Sequence, residues 1–155
     1  MSMITRIRTV SLTLILCLLT FGQIRAGEYF ERNGVAIDGY DPVAYFTDMR
    51  PVKGSQDFQA SYQGSIFYFV SAAHRDAFTT DPDKFAPQYG GYCAFGMAKG
   101  YKAAIDPAAF TVVGEKLYLN YNGTVRALWV LDILGYVKKA DQNWLEVRKS
   151  VTVNN

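Results

Sequence analysis

The amino-acid sequence predicts a compact single-domain α+β fold with two β-hairpins, a short helix after the first hairpin and a helical C-terminal region. Three patterns carry this expectation: paired apolar segments interrupted by turn residues, a capped helical stretch after the first pair, and an apolar face at helical spacing near the end. A length of 155 residues, with 50% hydrophobic and 19% charged, suits one globular domain and excludes a disordered or fibrous chain.

The elements follow in chain order. Phe58, Ala60 and Tyr62 alternate with polar neighbours, Gln63-Gly64 interrupts, and Ile66 to Val70 runs apolar and aromatic. This predicts a hairpin whose second strand is apolar on both faces and the more buried of the two. Ser71 stands at an N-cap position, and Ala72 to Phe78 follows as a short helix that brings His74 and Phe78 onto one face. Asp81-Pro82 is expected to close it. The glycines from Gly90 to Gly100 read as tight turns around Tyr89, Tyr92 and Phe95, because no Gly-x-x-x-x-Gly-Lys-Ser/Thr pattern marks a phosphate cradle. Phe110 to Val113 and Lys116 to Tyr121 flank Gly114-Glu115 as a second hairpin. Asn122-Gly123-Thr124 is formally a glycosylation acceptor, but it reads better as a polar turn leading into a helix. From Val125 onward, Trp129, Ile133, Tyr136, Val137, Ala140 and Trp144 share one helical face, with a break expected at Gly135.

The first segment reads as an address. Arg6 and Arg8 precede an apolar run from Val10 to Phe21, and Ala26 offers a cleavage site, so residues 1–26 are expected to be a secretory signal and 27–155 the domain. The run is shorter than the roughly 20 residues a membrane-crossing helix needs, so no stable membrane insertion is expected after cleavage. The expected location is periplasmic or extracellular. The formal charge of +2 belongs to this leader, because Arg6, Arg8 and Arg25 lie in it and no acid does. The remainder has no basic stripe, which argues against nucleic acid as a partner. It keeps Cys93 as its single cysteine, so no intramolecular disulfide can form. Its many tyrosines and phenylalanines, each burying about 150–250 Å², are expected to build the core instead.

Several segments resemble the YHS domain family. They are Gly39-Tyr40-Asp41-Pro42-Val43-Ala44-Tyr45-Phe46, Phe67-Tyr68-Phe69-Val70-Ser71 with Phe78, and Tyr89-Gly90-Gly91-Tyr92-Cys93-Ala94. Leu117 to Tyr121, Trp129, and Ala140-Asp141 with Trp144 add further matches, so that the resemblance spans nearly all of the chain beyond the leader. It is closest to the small exported members. The resemblance implies a compact α+β fold related to small metal-binding modules, several of them associated with copper or other heavy metals. In the metal-binding type, one Cys follows Asp-Pro-Val and two more flank the start of the helix after the first hairpin. Those positions here hold Ala44, Val70 and His74. The cysteine-rich site therefore does not carry over, and His74 and the separate Cys93 are what remain of donor chemistry.

His74 is the sole His and Cys93 the sole Cys beyond the leader, with Met97 four residues further on. If they meet, a neutral imidazole, an anionic sulfur and an auxiliary thioether would favour a soft ion, and a copper ion is the candidate cofactor. A structural zinc and a blue-copper centre both need more Cys or His than the chain offers. The competing readings stay open. Cys93 and Met97 also suit plain core packing. The loop Tyr89, Gly90, Gly91 and Tyr92, with Tyr101, offers a surface for a metal-free interaction or small-molecule binding module. A thiol enzyme would use Cys93 as nucleophile and His74 as base, but Asp76 or Asn120 is only a guess at the orienting third group, and Ser71 lacks a Gly-x-Ser-x-Gly elbow. The expectation is a protein that binds a metal ion or small ligand and is not an enzyme.

Overall fold

The computed structural model describes residues 28–155; the expected leader, with Cys17, lies outside the described residues. The described residues open with a small hairpin, β1 (Glu31–Arg32) and β2 (Val35–Ala36), turning at Asn33-Gly34 with φ of 57° and 77°. Asn-Gly is the dipeptide that such a left-handed two-residue turn favours. The arms are too short to show alternation, so this third hairpin was not among the expected elements. A tight turn over Ile37–Gly39 follows, also left-handed, in which the β-branched Ile37 sits at φ 44°. That conformation is costly for Ile. Full burial of its side chain and a 2.8 Å bond from Ile37 N to Phe30 O hold it there. The short helix α1 (Ala44–Thr47) comes directly after Asp41-Pro42.

The first expected hairpin is present as β3 (Ser55–Tyr62) and β4 (Ser65–Phe69), antiparallel with Ala60 opposite Phe67 and left-handed φ at Gln63 and Gly64. β4 is the more buried strand, as expected, but on one face only. Ser65, Phe67 and Phe69 are covered, whereas Ile66 is 39% exposed. A two-stranded antiparallel ladder with the core on one side leaves its other face to water. Ser71 caps α2 (Ala72–Thr80), its hydroxyl accepting from His74 N at 3.2 Å. Asp81 ends α2 and also caps α3 (Pro82–Phe85), a single turn that the sequence reading took only as a stop.

Tyr89, Gly90 and Gly91 form another left-handed turn, at φ 55°, 62° and 73°. A Cβ on Gly91 would lie 2.7 Å from the Ile37 side chain, so the two left-handed turns pack against each other. α4 (Ala94–Ala98) and β5 (Lys102–Ala103) come next, then β6 (Asp106–Val113) and β7 (Lys116–Asn120) as the second expected hairpin. β6 starts before the expected Phe110, because an irregularity in register lets its first residue, Asp106, pair with Asn120. Asn122 caps α5 (Gly123–Trp129) through a 2.9 Å bond from Val125 N, in keeping with the polar-turn reading.

The break in the C-terminal helical region falls over Val130–Asp132, ahead of the expected Gly135. Gly135 lies in the first turn of α6 (Ile133–Val147), where its N–H donates to Asp132 Oδ1 at 3.0 Å. A Cβ there would meet the Asp132 carboxylate, so the glycine makes room for the cap rather than breaking the helix. The chain ends with β8 (Val153–Asn154), which runs parallel to β5.

One continuous core joins these parts. At one end the Phe78 ring lies 5.0 Å from Phe67 and 5.1 Å from Phe69, and at the other Tyr118 lies 5.0 Å from the fully buried Trp129. Cys93 is a free thiol, so aromatic burial does the work that disulfides do in many small exported domains. Among the described residues no helix is long and apolar enough to cross a membrane.

Candidate functional site

Asp41 is fully buried, and its carboxylate organises the region around His74. Oδ1 accepts from Val43 N at 2.8 Å and Ala44 N at 3.3 Å, which starts α1. Oδ2 accepts from Val70 N at 2.9 Å, fixing the end of β4. The fourth bond ties Oδ2 to His74 Nδ1 at 2.7 Å. A carboxylate accepts, so Nδ1 carries the hydrogen, and in the neutral ring Nε2 is the lone-pair nitrogen. Nε2 has no hydrogen-bond partner among the described residues, and the His74 side chain is 20% exposed. The imidazole is thus held from behind and open in front.

Cys93 has other neighbours. It caps α4, and its sulfur accepts from Gly96 N at 3.4 Å and lies 3.7 Å from Asn120 Oδ1, to which the thiol donates. Asn120 Oδ1 also accepts from Phe95 N at 3.2 Å. Burial pushes the Cys93 thiol up, against the lowering effect of the Gly96, Tyr121 and Phe95 backbone N–H groups. Met97 N bonds to Cys93 O at 2.9 Å, so the stretch does make the helical turn that the sequence reading required. The Met97 side chain is fully buried in the core. Each donor therefore has its own setting: His74 on Asp41, Cys93 on Asn120, Met97 among apolar side chains.

The aromatic loop divides between two clefts. Tyr89 and Gly90 line a small one of about 220 Å³ together with Asp83 and Trp144, and the Tyr89 hydroxyl donates to Asp141 at 2.8 Å. Tyr92 lines a larger one of about 1440 Å³ with Phe30, Lys102 and Arg148. Gly91 is packed on Ile37, and the Tyr101 ring lies over Gly96; neither lines either of these two clefts. Sequence reasoning gave no role to Asp41 or Lys102 and named Asn120 only as a guessed orienting group for a thiol enzyme. Asp41 stood inside the quoted Asp-Pro-Val segment, where Asp before Pro reads as an ordinary turn opener.

The sequence profile of the YHS domain matches residues 43–89. The chain carries a YHS domain. No curated protein and no solved structure matches it. The matched YHS segment takes in His74 and ends at Tyr89, so Cys93 and Met97 lie beyond it.

Metal chemistry of the YHS type can be tested against these side chains. Among the described residues no three His, Cys, Asp or Glu groups gather in a way that holds a metal ion. Cys93 fits poorly as an anionic ligand, since burial favours its neutral thiol and its sulfur is already hydrogen-bonded. The imidazole fits. A ring whose second nitrogen is anchored on a carboxylate is the usual arrangement of a metal-binding histidine.

Proposed function

We propose that this is an exported YHS-domain protein that binds its ligand rather than transforming it, and that His74 Nε2 is its donor to a metal ion such as copper. The observation that carries the reading is the 2.7 Å bond between His74 Nδ1 and Asp41. It fixes the tautomer and the ring orientation. Imidazole suits copper as well as zinc, so the loss of a cysteine-rich site does not remove affinity for such ions. Cys93 and Met97, first nominated as co-ligands, act in this reading as core residues. Export rests on the Arg6, Arg8 and Val10 to Phe21 pattern, and it places the protein in the periplasm or outside the cell.

The test is equilibrium dialysis of the protein against copper, beside folded His74→Ala, Cys93→Ser and Met97→Leu variants. Wild type, Cys93→Ser and Met97→Leu should retain copper and His74→Ala should lose it. Equal retention by all four overturns the assignment, and a loss confined to Cys93→Ser moves the site to the thiol. Export is tested by the N-terminal residue of protein recovered from the periplasm or medium, expected close to position 27.

A second reading is favoured by the larger cleft. Its volume of about 1440 Å³ and its aromatic wall at Tyr92 and Phe30 support a metal-free small-molecule module. A thiol enzyme has less support, because His74 and Cys93 bond to different partners and burial keeps the thiol protonated.

A further inference from the structure

The larger cleft contains a cation, Lys102, that the reading built on His74 does not use. Lys102 is buried, with only 6% of its surface exposed. Its ammonium donates to Arg148 O at 3.0 Å and Ser150 O at 2.7 Å, and stands 4.7 Å from the centre of the Tyr92 ring. Two of its three N–H groups are thereby used, and among the described residues no carboxylate lies within ion-pair distance of it. Glu28, the carboxylate whose charge acts on Lys102, is committed to Arg148 Nη2 at 2.8 Å. Burial pushes the Lys102 ammonium below the ordinary lysine value, with the Glu28 charge opposing that shift. A covered ammonium held by carbonyls and a ring, with no anion of its own, is a costly arrangement that an incoming anion relieves.

The walls around it set the rest of the ligand. Phe30 and Tyr92 stack edge to face at 5.8 Å and line the cleft with Tyr29, Val153 and Leu145. Lys102, Arg148 and Lys149 line it together with Glu28 and Glu31, and Arg148 and Lys149 already pair with Glu28 and Glu146. Lys102 is the one cation of the three without a carboxylate. We infer that this cleft binds a small organic carboxylate with an aromatic or other apolar body, its carboxylate on Lys102 and its body against Tyr92 and Phe30. The inference rests on the second reading above and is independent of metal at His74.

The probes are naphthalene-1-acetate and its uncharged amide, titrated into the protein and followed by calorimetry and by the NMR signals of Tyr92 and Lys102. The acetate should bind about tenfold more tightly than the amide, the factor one charge-assisted hydrogen bond supplies. Lys102→Met should abolish that preference and Lys102→Arg should keep it. Because Lys102 also caps the end of α6, thermal unfolding of both variants accompanies the titration, and the wild-type comparison of the two probes stands even if Lys102→Met does not fold. Equal affinity for acetate and amide overturns the carboxylate assignment while leaving the cleft as a binding site. No binding of either probe at millimolar concentration overturns both.

Discussion

The His74 imidazole and the Asp41 carboxylate, 33 positions apart in sequence, meet through a 2.7 Å bond on a carboxylate with no exposed surface. Asp41 simultaneously holds the start of α1 and the end of β4, so the imidazole is oriented by the same group that joins two elements of the fold. Rigid positioning of this kind is what a single donor needs when no cluster of ligands surrounds it.

Removing the carboxylate should therefore cost stability as well as binding. Asp41→Ala leaves the Val43, Ala44 and Val70 amides without their acceptor, and a loss of about 3 kcal/mol or more in urea unfolding is expected from stranding buried donors. His74→Ala removes one of the four bonds, and about 1–2 kcal/mol is expected. Equal losses in the two variants would contradict the central place given to Asp41.

The packing of the Tyr89–Gly91 turn on Ile37 predicts a graded glycine series. Gly91→Ala meets the Ile37 side chain at 2.7 Å and must hold φ at +73°, so it should destabilise by about 2 kcal/mol. Gly34→Ala has open space at φ +77° and should cost about 1 kcal/mol from backbone strain alone. Gly123→Ala has neither obstacle and should be neutral or slightly stabilising. Thermal unfolding of the three variants orders them, and a Gly91→Ala variant no worse than Gly34→Ala would refute the packing of the turns.

Stability should fall in alkali in two stages. Burial raises the folded Cys93 thiol above its ordinary value of 9.0, so the unfolded chain loses that proton first and stability declines as pH rises past about 9. Burial raises Tyr29, Tyr45, Tyr89, Tyr92 and Tyr118 above 10.0, which steepens the decline with the same sign from about pH 10. Lys102 has the opposite sign, because its folded value is lowered from 10.5, but it is one group against five. Urea unfolding across this range should show Cys93→Ser losing the earlier stage and keeping the later one. A wild-type stability that rises between pH 9 and 10 would contradict the burial of the thiol.

What the sequence made legible was local. Gln63-Gly64 and Gly114-Glu115 lie between paired strands, Ser71 caps α2, and Trp129 with Ala140 marks the buried helical face, because turn chemistry, caps and periodicity act over a few residues. Elements shorter than one period stayed hidden, as with β1, β2 and α3. So did the β5 and β8 pairing, which joins residues about fifty positions apart and leaves no spacing to read. The partners of the site residues stayed hidden for the same reason. Nineteen positions between His74 and Cys93 say that they can meet, while their partners, Asp41 and Asn120, come from distant segments that only the folded chain brings up.

The most direct measurement is the nitrogen NMR spectrum of His74 in the metal-free protein in mildly alkaline solution, where the two ring nitrogens report which carries hydrogen. A protonated Nδ1 and a lone pair on Nε2 is the result expected of a ring anchored on Asp41. A protonated Nε2 would mean that the outward nitrogen has no lone pair to give, and His74 would cease to be the donor.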